Sequence, residues 1–162
     1  MNHSIKKVFQ HYLSQLEAIV AKVPPETFAS SLADDMFNLE MNAKIAANFI
    51  LRGYCPLIKR EVVSFIREES GKAAVQAQIT ETISYLKGLP EAQQPDATRR
   101  LRDKAGFSEV DLSEPEFIYH YIIPNFLFHV SMVYAIARAN GVKLSKGDYD
   151  GFHSYPTGFT FV

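Results

Sequence analysis

His129 is the strongest candidate for a functional residue in this chain, because its titratable side chain lies within a long apolar segment. An imidazole there could act as a general base, exchange hydrogen bonds with a ligand, or bind a metal ion. The simpler interpretation is a core histidine that is hydrogen-bonded to a backbone carbonyl. His120 lies nine residues earlier and His153 lies in the C-terminal tail, and the sequence does not decide whether either shares a cavity with His129. His3 and His11 are expected to face solvent.

The composition indicates a single globular domain, residues 1–162. The chain is 47% hydrophobic and 22% charged, and it is long enough to bury a core. Its net charge of -1 provides no overall attraction to nucleic acid or anionic lipid. Cys55 is the only cysteine, which excludes an internal disulfide and indicates a reducing compartment, and we expect its thiol to be an inert buried group. With no secretory core and no apolar run of about 20 residues, we expect a cytoplasmic protein that does not cross a membrane.

The N-terminal segment has the clearest helical pattern of the chain. Apolar residues recur at three- and four-residue steps from Val8 to Val23, while Lys6 is expected on the solvent face. Pro24-Pro25 ends this helix, because neither proline can donate a hydrogen bond to the helical ladder.

Two further amphipathic segments predict the second and third helices. The second is expected to begin near Asp34 or Asp35, either of which could cap it, and to end at Gly53. Ser70 opens the third helix, and Gly88 closes it.

The connection from residue 89 to residue 112 carries a cluster of basic side chains and could contain a small hairpin that turns at Ala105-Gly106. The basic residues are Arg99, Arg100, Arg102 and Lys104. A solvated loop near acidic neighbours explains this cluster better than a nucleic-acid site, because the overall charge is nearly balanced. We therefore expect no nucleic-acid partner.

The last long helix begins at Ser113, which can form a capping box with Glu116. Pro124 interrupts it, so we expect a kink or a restart there. Asn140-Gly141 provides a left-handed stop, and Val142 can fold back as its apolar contact. The tail that follows is rich in aromatic residues, which are expected to pack on the helices or on a second copy of the chain.

Four main helices predict an all-α fold, namely a four-helix bundle with long connections, a kinked last helix and an aromatic C-terminal tail. Residues 126–142 resemble the last core helix of the DinB/YfiT-like superfamily. More closely, residues 35–37, 124–129 and 147–149 resemble one uncharacterised bacterial branch of it, a domain of unknown function. The resemblance covers most of the chain, but it is specific only in the last helix and tail. It implies a four-helix bundle, often a homodimer, and no known reaction.

The better-understood members of that superfamily hold a divalent metal with three histidines, one on the second helix and two spaced four apart on the last. By this resemblance His129 corresponds to the second of the pair, Asn125 to its partner, and Asn42 to the position on the second helix. Two of the three ligands are therefore asparagines, and an amide is a poor substitute for imidazole on zinc or nickel. The sequence thus predicts no bound metal.

The candidate pocket consists of His129, Asn125, Asn42 and His120, and it leaves three functional interpretations. We favour a metal-free, homodimeric protein that binds a small molecule or has a structural role. The alternative is a thiol transferase or hydrolase of the DinB type that depends on a divalent metal such as zinc or nickel. In that enzyme His129 would be one ligand, and residues such as Glu40, Asp35 or His120 would supply the others. Nucleic-acid binding rests on the loop arginines alone and is the weakest interpretation.

Overall fold

The computed structural model describes residues 4–162, in which five helices surround one core and a β-hairpin precedes the longest helix. The helices are α1 (Ile5–Lys22), α2 (Leu39–Leu57), α3 (Lys72–Gly88), α4 (Glu114–Ala139) and α5 (Lys146–Asp150). The strands are β1 (Arg100–Ala105) and β2 (Ser108–Ser113), and a 3-10 turn at Pro25–Ala29 follows α1. The fold is mainly helical, as predicted. The prediction of an all-α chain is wrong for the hairpin, whose antiparallel ladder pairs Arg100 with Ser113 and Ala105 with Ser108. The small hairpin suggested for the connection, turning after Ala105, is confirmed.

Two lysines connect the ends of α1 and α3. The Lys6 ammonium donates to the carbonyl oxygens of Lys87 and Leu89 at the end of α3. The Lys72 ammonium donates to those of Ala21 and Val23 at the end of α1, at 2.9 Å each. Each lysine satisfies carbonyls that the partner helix leaves free and complements the negative end of its dipole. The helices are therefore antiparallel, and the prediction that Lys6 faces solvent is wrong.

The α2 helix begins later and ends later than its sequence suggests. Asn38, not Asp34 or Asp35, caps it, because the Asn38 side chain accepts a hydrogen bond from the Met41 amide at 2.8 Å. The helix also continues past Gly53 and ends where Lys59 adopts a left-handed backbone conformation, with φ of 56°. Both predicted bounds are wrong, since the aspartates lie in the preceding turn and the glycine has another role.

That role is close packing between α2 and α4. A Cβ atom on Gly53 would lie 2.3 Å from Cγ2 of Ile122, well inside contact distance. Gly53 and Ile122 are both buried, and α2 makes its most extensive packing contacts with α4. Glycine is therefore required here because it lets two helices approach, and not because it stops one of them.

Within α4 the predicted irregularity takes the form of a π-helical stretch. The capping box between Ser113 and Glu116 is present, and residues 117–122 then form hydrogen bonds of the wider π type. This stretch ends two residues before Pro124, which has no N–H to donate to the ladder. The predicted stop at Asn140 and Gly141 is also present, with the Val142 amide bonded to the Ala137 carbonyl at 3.0 Å.

Length and composition alone would allow α4 to cross a membrane. Phe126, Val130 and Val133 of this helix are fully buried within the protein, and a core helix of a globular protein has the same composition. The expectations of a cytoplasmic location and of no membrane crossing stay predictions.

The C-terminal tail is attached to α1 through Asp150. The His11 ring donates a hydrogen bond from Nε2 to the Asp150 carbonyl oxygen at 2.6 Å and stacks on Phe152, so the prediction that His11 faces solvent is wrong. The backbone amides of His153 and Phe152 hold the pKa of the Asp150 carboxyl at about 2, aided by the His153 ring. The expectation for His3 lies outside the described residues.

The aromatic residues beyond this anchor are not covered by the rest of the chain. Phe152, Phe159 and Phe161 stay 77%, 51% and 79% exposed, and Phe159 stacks mainly on its neighbours in the tail. Packing on the helices of the same chain, one of the two predicted alternatives, is therefore wrong for Phe159 and Phe161, whereas Phe152 stacks on His11 of α1. Packing on a second copy stays a prediction.

We expect Gly53→Ala to lower the free energy of unfolding by about 1–3 kcal/mol, because the added methyl group forces α2 away from Ile122. Gly88→Ala is the matched control, since nothing lies within 4 Å of a Cβ at that helical glycine. Guanidinium unfolding followed by circular dichroism measures both variants. Equal stability of the two would contradict the role assigned to Gly53.

Candidate functional site

An apolar cleft of about 500 Å³ opens over His129 between α4, the start of α2 and the turn that precedes α2. Its apolar walls are Met36, Phe37, Phe128 and Met132. Asn42 and His129 supply the polar atoms between these walls, and both side chains are largely buried, with exposures of 2% and 9%. Asp34 and Asp35 also line the cleft, and both are exposed. The size and the mixture of apolar walls with a few polar groups are those of a small-molecule pocket.

Asn42 fixes the position of the proton on the His129 ring. The Asn42 amide nitrogen donates to the backbone carbonyls of Phe37 and Asn38, at 3.1 and 2.9 Å. Its oxygen therefore faces His129, where the distance to Nδ1 is 2.8 Å. An amide oxygen only accepts, so Nδ1 must carry the proton, and Nε2 is left as an acceptor.

The Nε2 atom of His129 makes no hydrogen bond to any side chain or backbone group in residues 4–162. It is also not among the polar atoms that are sealed from solvent. Because His129 lines the cleft, this lone pair is available to a molecule that enters it.

Burial lowers the pKa of His129 to about 4, and the positive charge of Arg52 acts in the same direction. The ring is therefore neutral at pH 7. A base with so low a pKa binds a proton weakly, so this imidazole suits hydrogen bonding better than proton transfer near neutral pH.

A layered stack lies behind the imidazole. The Phe49 ring stacks on His129 with centroids 5.8 Å apart, and the Arg52 guanidinium lies 4.3 Å from the Phe49 centroid on a cation–π contact. Arg52 in turn donates to Asp103 of β1 at 2.6 Å and to the Tyr121 hydroxyl at 3.0 Å. Burial raises the pKa of Tyr121 to about 12, so its hydroxyl keeps its proton.

This stack was not predicted from the sequence. Arg52 carried one available signal, since it is a single charged side chain within the apolar run from residue 49 to residue 57. Its partner Asp103 lies 51 residues away, and no local pattern connects the two. The hairpin therefore contributes to the site through Asp103, which binds Arg52, whereas Arg100 and Arg102 of the hairpin pair with Asp111.

Of the predicted pocket residues, the structure brings together His129 and Asn42 and leaves the other two apart. Asn125 donates its amide to the Tyr121 carbonyl at 2.7 Å and is not among the residues that line the cleft. His120 is exposed and also lies outside the cleft. His153 pairs with Asp150 in the tail.

Of the residues proposed for other roles, Asp35 lines the cleft together with His129, whereas Glu40 and Cys55 do not. Glu40 accepts a hydrogen bond from the Gly71 amide and lies 3.5 Å from the Lys44 ammonium. Cys55 is buried, and burial raises the pKa of its thiol, as suits an unreactive group.

The side chains present do not fit the three-histidine metal site that the resemblance implies. Among residues 4–162, His129 is the one imidazole that lines the cleft, the Asn42 oxygen is engaged by the Nδ1 proton, and Asn125 lies elsewhere. Within the part of the chain that the structure describes, no group of three or more His, Cys, Asp or Glu side chains is placed to hold an ion. We therefore derive no chemistry through a metal, and the predicted absence of a metal stays a prediction.

Comparisons with known proteins support the predicted resemblance. A family model described as a domain of unknown function (DUF1993) matches residues 2–150. No curated protein matches the sequence. Among solved structures, the chain is similar to a DinB family member protein from Shewanella denitrificans, with 23% identity and a TM-score of 0.73 over 94% of this chain and 92% of that chain. At this identity the likeness shows the fold alone, so the predicted resemblance is confirmed as a DinB-like fold in a domain of unknown function. The family match ends before the aromatic tail, residues 151–162.

We expect the His129 ring to stay neutral until the pH falls to about 4, the pKa that burial gives it. The unfolded chain takes up the same proton near the ordinary pKa of about 6.5. The free energy of unfolding should therefore fall by roughly 1–3 kcal/mol between about pH 6.5 and pH 4 through this group, with no contribution from it above that window. Urea unfolding across this range measures the effect, and nitrogen NMR of the ring reports the proton on Nδ1.

His129→Gln removes this titration, so its pH dependence should be flatter than that of the wild type. His120→Gln is the matched control, because it changes an exposed histidine of the same helix. Identical pH profiles for the wild type and His129→Gln would contradict the lowered pKa.

Proposed function

The chain belongs to the DUF1993 family, a domain of unknown function, and we propose that it binds a small, mostly apolar molecule in the cleft over His129. The single observation that carries the proposal is the free Nε2 lone pair of a neutral, nine-tenths buried imidazole between apolar walls. A polar atom in such surroundings gains more from a new hydrogen bond than it would in bulk water.

The shape and the chemistry of the cleft support binding over catalysis. A volume of about 500 Å³ suits a small organic molecule. Phe128 and Met132 offer apolar surface to such a molecule, and His129 offers one directional acceptor. Cys55, the one cysteine of the described residues, is not among those that line the cleft, so no thiol is placed there for nucleophilic catalysis.

The proposal includes two structural features that the resemblance implies. The first is an arrangement of α1 to α4 as a bundle of the DinB type, supported by the contacts of α2 with α3 and α4 and of α1 with α3. The second is a homodimer, for which the exposed Phe152, Phe159 and Phe161 of the tail offer apolar surface.

Fragment binding tests the proposed function. We expect uncharged aromatic fragments that carry a hydroxyl or amide donor to shift the Met132 methyl resonance in carbon–proton NMR spectra. His129→Phe keeps an aromatic ring but removes the acceptor, so fragment affinity should drop about fivefold, the effect of one hydrogen bond of about 1 kcal/mol.

His120→Phe is the control, since it makes the same change outside the cleft. Proton spectra of each variant establish that it is folded before titration. If no fragment perturbs Met132, or if His129→Phe binds fragments as well as the wild type does, the proposed site is wrong.

Metal content separates this proposal from the metal-dependent thiol transferase or hydrolase. We expect tag-free protein, incubated with zinc or nickel and then desalted, to retain far less than one equivalent of metal by plasma mass spectrometry, because one imidazole binds such ions weakly. Near-stoichiometric metal that disappears in His129→Ala would overturn the metal-free proposal and favour the enzyme.

A further inference from the structure

We infer that the molecule bound over His129 carries a protonated amine beside its apolar body. This inference rests on the proposed function, because it specifies the ligand of the same cleft. It follows from the hydrogen-bonding character of the cleft, from its charge, and from the aromatic rings at its walls.

The free polar side-chain atoms of the cleft are acceptors. His129 offers Nε2 as a lone pair, because its Nδ1 proton is engaged by Asn42. Both amide protons of Asn42 are used on the carbonyls of Phe37 and Asn38. The remaining polar side chains that line the cleft are carboxylates, which accept when ionised. A ligand that satisfies this cleft must therefore bring donors, and an ammonium group has three.

The charge of the cleft points to the same ligand. Asp34 and Asp35 line it, and neither forms a salt bridge or a side-chain hydrogen bond with any residue in the described range 4–162. No lysine or arginine lines the cleft, and Arg52 lies behind the Phe49 ring. Two adjacent carboxylates without a basic neighbour attract a cation and repel an anion.

The acidic pair does not stand alone, because the buried His129 lines the same cleft, and its Nε2 has no hydrogen-bond partner in residues 4–162 and is not sealed from solvent. The two features make different demands on a ligand. The imidazole requires a directional donor between the apolar walls, and the carboxylates favour positive charge in the more exposed part of the cleft.

The walls are compatible with a cation that has an apolar body. Phe37 and Phe128 are 59% and 52% exposed, so their rings remain available for contact. An ammonium group is attracted to the face of an aromatic ring, and the apolar body of the ligand would cover these rings and Met132.

Three probes of similar shape and different charge test the inference: 2-phenylethylamine, 2-phenylethanol and 3-phenylpropanoate. Dissociation constants come from titrations that follow the Met132 methyl resonance. We expect the amine to bind about two- to tenfold more tightly than the alcohol, since exposed ion pairs contribute modestly. The carboxylate should bind most weakly. The advantage of the amine should shrink at about 0.5 M salt, because screening weakens exposed charge pairs.

Two double variants locate the charge that matters. Asp34→Asn with Asp35→Asn should abolish the advantage of the amine, so that the ratio of the dissociation constants of the alcohol and the amine falls to about one. Glu61→Gln with Glu109→Gln removes the same number of exposed carboxylates outside the cleft, so the advantage should persist.

The outcomes separate this inference from the function on which it rests. If the alcohol shifts Met132 but binds as tightly as the amine, the inference is wrong and the binding function stands. An equal loss of preference in both double variants would also overturn the inference, because overall charge would then explain it. If none of the three probes shifts Met132, both the proposed function and the inference fall.

Discussion

The close approach of α2 to α4 is the constraint on which the rest of the structure depends. At Gly53 the two backbones are so near that a single methyl group cannot fit beside Ile122. Small residues can act in this way wherever helices must pack at short range, because side-chain volume sets the distance between axes. Here the short range brings Asn42 of one helix within hydrogen-bonding distance of His129 on the other. A wider spacing would separate the pair, and the cleft would lose its defined polar atoms.

The properties of the His129 ring originate outside its own helix. Backbone carbonyls of Phe37 and Asn38 orient the Asn42 amide, and that amide decides which ring nitrogen keeps the proton. Burial lowers the pKa of the ring, and the positive charge of Arg52 adds to this effect, so the ring stays neutral. The acceptor in the cleft is thus produced by a turn, two helices and a hairpin together. An imidazole in an isolated helix would have neither a fixed tautomer nor so low a pKa.

Local signals in the sequence predicted the parts of the fold that depend on neighbouring residues. The end of α1 before Pro24, the capping box at Ser113 and the stop at Gly141 each involve groups within a few positions of one another. Predictions failed where a distant contact decides the outcome. The pattern around Lys6 predicts a surface lysine, but its ammonium group binds carbonyl oxygens at the end of α3. Gly53 is typical of a helix end, but its role is to allow close contact with Ile122.

The predictions for the candidate site also succeeded in part and failed in part. The resemblance placed Asn42 and His129 at corresponding positions, and the structure joins them. In the structure, Asn125 instead donates to a carbonyl of its own helix, and His120 lies outside the cleft, because a position on a helical face does not determine the hydrogen-bond partner of a side chain.

The reciprocal lysine caps of α1 and α3 limit how the lengths of these two helices can change. One residue inserted into either helix would shift a lysine by about 1.5 Å along the helix and about 100° around it. Both lysine caps would then lose their register with the carbonyl oxygens that they bind. The two helices are therefore locked to matching lengths, and changes in chain length must accumulate in the connections between them.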